Sequence, residues 1–229
     1  MEQLPLAVKL KSAQTFASFV SGQNAPLVHS LSQRTHAQGL ATFWVWSVGG
    51  AGRTHLLQAL CHAATSVGKR SMFLPLSDPS LTPDLLEGLE QLNLVCIDDV
   101  DAGFPSVEWE RGLFRLHLGL MERGGNLVLS AAAPPAGLPI GLKDLASRFQ
   151  AAEIWQLHPL PEALQAEALQ KRASQLGLTL SAEVQTYLLR HAPRDLLFLC
   201  EFLDELDTQA LVKQQGITVP LVRELLKRG

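Results

Sequence analysis

The chain has 229 residues, 47% hydrophobic and 18% charged, with a formal net charge of −3. That balance excludes a disordered chain, and mild acidity without a long basic run argues against a protein that lives mainly on nucleic acid. No apolar run approaches the roughly 18 residues that span a bilayer, and the N-terminus, broken by Lys9 and Lys11, lacks a secretory core, so no membrane partner is expected.

In chain order, residues 1–22 read as an arm and 24–38 as a first helix. The aromatic and β-branched run ATFWVW (41–46) suits a buried parallel strand, and a helix should run from Arg53 to about Val67. RSMFLPL (70–76) is a second strand, and Pro83 suits the start of a helix over 83–91. LNLVCIDDV (92–100) is a third strand ending in carboxylates. Residues 106–123 read as a helix halted by Gly124 and Gly125, and NLVLSAA (126–132) as a fourth strand. A short helix over 141–148 and a fifth strand, AEIWQL (152–157), follow. After HPLP (158–161) every segment has helical spacing: 162–176, 181–190, 193–207 and 218–227. The reading is therefore an arm (1–22), an α/β base with a five-stranded parallel sheet (23–159) and a small helical domain (160–229). Cys61, Cys96 and Cys200 read as free thiols in a reducing cytoplasm, and the seven histidines share no zinc-like spacing with them.

Between the first strand and its helix lies Ser47-Val48-Gly49-Gly50-Ala51-Gly52-Arg53-Thr54. A phosphate-binding loop is Gly, four residues, Gly, Lys, then Ser or Thr. Gly49, Gly50 and Gly52 permit the positive φ that aims N–H groups at phosphate oxygens, and the helix adds its positive end. Thr54 can place a hydroxyl on Mg²⁺. The departures are Ser47 at the first glycine and Arg53 at the lysine. A planar guanidinium can neutralise a β-phosphate but follows a γ-phosphate through transfer less well, so binding with poor hydrolysis is expected. Asp98 and Asp99 end the third strand, at the sheet edge where ligands of such folds bind. Asp98 is the candidate outer-shell partner of Mg²⁺. Asp99 stands where many ATPases place a longer glutamate to orient water. A glycine-rich turn without a ligand and two solvated carboxylates remain the alternative readings of these segments.

These motifs resemble those of the initiator clade of the AAA+ ATPases, and within it the family of DnaA-homologous regulatory inactivators. The resemblance covers nearly the whole chain. TFASFVSGQNAPLV (15–28), with Phe16, Phe19, Gly22 and Asn24, is similar to the box that leads into the ATPase core and lies against adenine. GAGRTHLLQAL (50–60) is similar to the inactivators' loop, which also uses arginine. LSAAAPPAGL (129–138) resembles the sensor-1 strand and its double-proline turn, with Ala132 and Ala133 in place of aspartate and arginine. LKDLASRFQ (142–150) resembles the segment carrying the arginine finger, which maps to Arg148. HAPRDLLFLCEFLDELD (191–207) resembles the sensor-2 helix, placing Arg194 toward phosphates, with Leu196, Leu197, Leu199, Phe202, Leu203 and Leu206 as packing. QLPLAV (3–8) is similar to the family's clamp-binding peptide through Gln3, Leu4 and Leu6, although Pro5 comes early.

The resemblance implies a AAA+ base with a helical lid. Its implied nucleotide-binding set is Phe19, Val20, Gly49, Gly50, Ala51, Gly52, Arg53, Thr54, His55, Asp98 and Arg194. Thr54 and Asp98 would serve Mg²⁺, directly or through water. The cofactor would be ADP or another nucleoside diphosphate. The partners would be the initiator DnaA, the DNA polymerase sliding clamp and, through the clamp, DNA, with a homo-oligomer left open. Since the chain ends at Gly229 after the lid, no DNA-binding domain is expected, which suits a regulator. Arg148 would act in trans on the initiator's ATP, with intrinsic hydrolysis weak or absent. Two other readings stay open: an autonomous ATPase of helicase-loader type, and an adaptor with a vestigial nucleotide site.

Overall fold

The computed structural model describes residues 14–35, 39, 41–193, 196–213 and 216–227. They fall into two compact units, one of residues 14–16 and 24–158, the other of residues 17–23 and 159–227.

The first unit is built on β1 (Ala41–Trp46), β2 (Ser71–Pro75), β3 (Leu94–Asp98), β4 (Asn126–Ala131) and β5 (Glu153–Gln156). All neighbours are parallel, in the order β2-β3-β4-β1-β5. The helices are α1 (Ala25–Arg34), α2 (Arg53–Ser66), α3 (Val107–Arg123) and α4 (Lys143–Gln150). Every residue of β3 and β4 is buried, as continuous apolar runs in a covered parallel sheet require. The edge strand β5 is mostly exposed. Trp44 of β1 packs on Phe149 of α4 with ring centroids 5.3 Å apart, and both are fully buried. Each such side chain contributes about 1.5–3 kcal/mol by leaving water. Asn24 fixes the start of α1 to the end of β5: its amide donates to the His158 carbonyl at 2.8 Å and accepts the His158 N–H at 2.9 Å.

Local chemistry explains most boundaries. The Ser106 hydroxyl caps α3 by accepting the Trp109 N–H, and Gly124 closes it at φ 71°. The helix expected over 83–91 is replaced by two 3₁₀ turns, Pro83–Leu86 and Leu89–Gln91. Glu87 is extended and Gly88 sits at φ 82°, so the chain reverses between them. The break lets Leu86 and Leu89 both enter the core. Proline at a helix start was read correctly, but the glycine five residues on outweighed it.

The second unit holds α5 (Glu162–Gln175), α6 (Ala182–His191), α7 (Leu196–Lys213) and α8 (Val219–Leu226). Its core includes Leu169, Leu188, Leu199, Phe202, Leu203, Leu206 and Val222, among them four of the packing residues expected from the sequence. Ser181 caps α6 through the Val184 N–H, and Arg172 of α5 holds both oxygens of Asp204 in α7, at 2.5 and 2.8 Å. No helix among the described residues is long and apolar enough to cross a membrane.

Candidate functional site

Strand order brings the first half of the site together. Because β4 lies between β3 and β1, the loop after β1, the end of β4 and the carboxylates after β3 share one sheet edge. Ile97 of β3 is level with Leu129 of β4, so Asp98 and Ser130 are the next step of the ladder. Asp98 is 2% exposed. Thr54 donates its hydroxyl to Asp98 Oδ2 at 2.6 Å, and Ser130 donates to Oδ1 through a short hydrogen bond. The Asp99 N–H in turn donates to Ser130 Oγ at 3.0 Å. Burial pushes the Asp98 carboxyl above its ordinary range; the Ser130 and Thr54 hydrogen bonds oppose that rise, Asp99 adds to it and Arg53 opposes it.

The loop turns as its glycines require, with Gly49 at φ 75° and Gly52 at φ 97°. Gly52 is the residue before α2, and no side chain caps that helix start. Arg53 lies back across the loop. Its Nη1 donates to the Ser47 carbonyl at 2.5 Å and to Ser47 Oγ at 3.2 Å, while Nη2 donates to Asp99 Oδ1 at 2.8 Å. The two side chains are 17% and 30% exposed, so the ion pair is largely sheltered. Asp99 itself is in the left-handed region, at φ 50°, the only such non-glycine residue among those described. His55 contacts the Thr15 carbonyl at 3.1 Å.

The donor set fits the phosphates of a nucleotide. The α2 start carries helix N–H groups without intrahelical partners and with no side-chain cap. A Cβ at Gly49 would meet nothing within 4 Å, and Val48 is 78% exposed, so the loop's outer face is accessible. Thr54 spends its proton on Asp98, which leaves its oxygen lone pairs for a cation. Among the described residues no group of three or more His, Cys, Asp or Glu could hold a metal by itself. Mg²⁺ would therefore need phosphate oxygens as ligands besides Thr54, with Asp98 behind.

The turn after β4 is fixed through its backbone. The Ala132 N–H donates to Asp101 Oδ2 at 3.2 Å, and Trp44 Nε1 donates to the Ala133 carbonyl at 3.0 Å. Neither alanine brings a polar side chain. Arg148 is in the last turn of α4 and lies over the Phe114 ring of α3, 5.4 Å from its centroid, with Nη1 3.3 Å from Met121 Sδ. It is half-buried, with Met121 exposed beside it. Phe19 and Val20 belong to the second unit, where Val20 is buried. Gln3, Leu4, Leu6 and Arg194 lie outside the described residues.

Ser130 was not anticipated from the sequence, although a hydroxyl inside the apolar run NLVLSAA was the available signal. Asp101 and Trp44 were also missed as site supports. A carboxylate three residues past Asp98, and an indole that must satisfy its N–H when buried, were the corresponding hints.

The fold matches that of domain III of the replication initiation protein DnaA from Thermotoga maritima, with a TM-score of 0.80 at 20% identity, over 96% of this chain and 98% of that one. AMPPCP-bound DnaA from Aquifex aeolicus matches with a TM-score of 0.68 at 19% identity, over 90% of this chain and 68% of that one. The Thermotoga maritima RuvB Holliday junction branch migration motor matches with a TM-score of 0.62 at 12% identity, over 90% and 67%. The fold class is therefore that of the AAA+ P-loop modules: a five-stranded parallel sheet with helices, and a small all-helical second unit. Residues 162–226 match the family model described as Hda, lid domain. The chain thus has the fold of DnaA domain III, and its residues 162–226 are similar to the lid domain of Hda.

Proposed function

We propose that this protein is a regulator of replication initiation that promotes ATP hydrolysis in a partner initiator, DnaA, rather than a working ATPase itself. The observation that carries this reading is the Arg53–Asp99 ion pair. The two positions that would act on a γ-phosphate and its attacking water neutralise each other at 2.8 Å, and Ala132 adds no polar side chain beside them. ADP or another nucleoside diphosphate would be held by the 49–55 loop and Thr54, with Mg²⁺ backed by Asp98. Once bound, it supplies the anionic charge that orders the loop. Arg148 stands apart from this site, on the α3–α4 face, half-exposed and cushioned by Phe114 and Met121. There it is suited to meet a triphosphate on another molecule, where a trans arginine contributes about 10³–10⁵ in rate. The segment with Gln3, Leu4 and Leu6 would tether the protein to the sliding clamp.

The test is a reconstitution of this protein with clamp, DNA and ATP-loaded initiator. Arg148→Ala should abolish stimulated hydrolysis and leave clamp binding intact, whereas Gln3→Ala with Leu6→Ala should abolish clamp binding. Normal stimulation by Arg148→Ala overturns the finger assignment. ATP turnover by the isolated protein, lost on Asp98→Ala, would instead establish an autonomous ATPase.

A further inference from the structure

We infer that Glu110 of α3 is a positioning residue for Arg148, setting where the guanidinium stands by anchoring the start of the short helix that carries it. This rests on the reading of Arg148 as a trans-acting finger.

Helix α4 has eight residues and begins after Leu142 with no side-chain cap of its own. So short a helix has little intrinsic stability, and its direction is set by what grips it. At its start the grip is Glu110. The carboxylate accepts the Gly141 N–H on Oε1 at 2.9 Å and the Leu142 N–H on Oε2 at 2.6 Å. It is 4% exposed. A buried carboxylate is costly unless well satisfied, and here two backbone donors and the positive end of α4 satisfy it. The carboxylate lies close along the Gly141 backbone: a Cβ there would be 3.4 and 3.5 Å from its two oxygens, an ordinary van der Waals contact.

The same stripe of α3 reaches the finger. Glu110, Phe114 and Met121 follow one another at helical spacing of four and seven, so they share a face. Glu110 holds the first end of α4 while Phe114 and Met121 receive Arg148 at the other. Leu145 and Phe149, both fully buried, stop the helix from lifting away, but an apolar contact tolerates sliding and tilting where two directed hydrogen bonds do not. From Leu142 to Arg148 the axial rise is about 9 Å, so a tilt of about 10° at the start displaces the finger by about 1.5 Å. Misplacement by about 1 Å can lower a rate about 100-fold.

The experiment compares Glu110→Ala, Glu110→Gln and Arg148→Ala in the clamp–DNA–initiator reconstitution, titrating this protein to saturation. Glu110→Ala should lower the maximal stimulated rate by about 10- to 100-fold, with the half-saturating concentration changed less than about threefold. ADP should still raise its melting temperature as in the wild type. Glu110→Gln keeps one acceptor but turns an NH₂ toward the second N–H, so it should fall between the two and guards against an unfolded alanine variant. A wild-type maximal rate in folded Glu110→Gln or Glu110→Ala overturns the inference, as does a loss confined to the half-saturating concentration. If Arg148→Ala stimulates normally, the finger reading fails and this inference falls with it. If Arg148→Ala is inactive while both Glu110 variants are normal, only the inference fails.

Discussion

Replacing Asp99 by asparagine tests whether that carboxylate restrains Arg53. Asparagine tolerates the left-handed φ of 50° that Asp99 adopts, so backbone strain stays nearly constant and charge is the main change. The pair is 2.8 Å long with side chains 17% and 30% exposed, between an exposed pair and a dry one. Exposed pairs contribute about 0–1 kcal/mol, and removing one member of a buried pair costs about 3–5 kcal/mol. With this shelter a loss of about 1–2 kcal/mol is expected in the nucleotide-free protein, or about 2–8 °C in melting temperature for a chain of this size. Asp99→Ala should lose about a further 1–2 kcal/mol, because alanine pays for the left-handed backbone. Nucleotide binding should move the other way. Removing a negative charge beside Arg53 favours an anion at the loop, and about 1 kcal/mol corresponds to about fivefold tighter ADP. Calorimetric titration with ADP, alongside melting with and without it, gives both quantities. Equal or weaker ADP binding by a folded Asp99→Asn protein would refute the idea that Asp99 competes with phosphate for Arg53.

The remaining predictions concern pH and the core. Burial raises the Asp98 pKa above its unfolded value, so between the two values the native protein keeps a proton that the unfolded chain has released. Its contribution therefore makes stability fall as pH rises upward from the unfolded value of 3.8, and Asp98→Asn should remove that fall. Urea unfolding of both proteins across pH 4–7 should show the variant gaining relative to wild type as pH rises; a difference independent of pH contradicts the assignment. Phe149→Ala empties a fully buried site against Trp44 and should cost about 3–5 kcal/mol in denaturant unfolding, while a loss below about 1 kcal/mol contradicts that packing.

Most of the base was legible because its signals were local. ATFWVW gave β1 to the residue, and Ser106 with Gly124 bounded α3. The span 83–91 misled because proline at its start spoke for a helix, whereas Leu86 and Leu89 each needed the core and Gly88 allowed a reversal between them. The site divided the same way. Gly49, Gly52, Thr54 and Asp98 were readable from spacing, since a loop and a strand end have fixed places in a parallel sheet. Ser130 and Glu110 were not. Each acts across a separation of about thirty residues, on Asp98 and on the start of α4, and only strand register or helix packing brings those partners together.

The register also explains why the departures at Ser47, Arg53 and Asp99 belong together. An arginine fork has two ends that can donate at once, and here one end takes the Ser47 carbonyl and hydroxyl while the other takes Asp99. A lysine ammonium is a single point charge and cannot hold donors at two such separated places in fixed directions. A glycine at 47 would remove the hydroxyl that Nη1 also touches, and that hydroxyl in turn donates to the Gly49 carbonyl at 3.3 Å. A longer glutamate at 99 would carry its carboxylate past the position from which Asp99 meets Nη2. The three residues thus form one matched latch across the loop. Each depends on the others: without the Ser47 hydroxyl or the Asp99 carboxylate, one end of the Arg53 fork loses an acceptor.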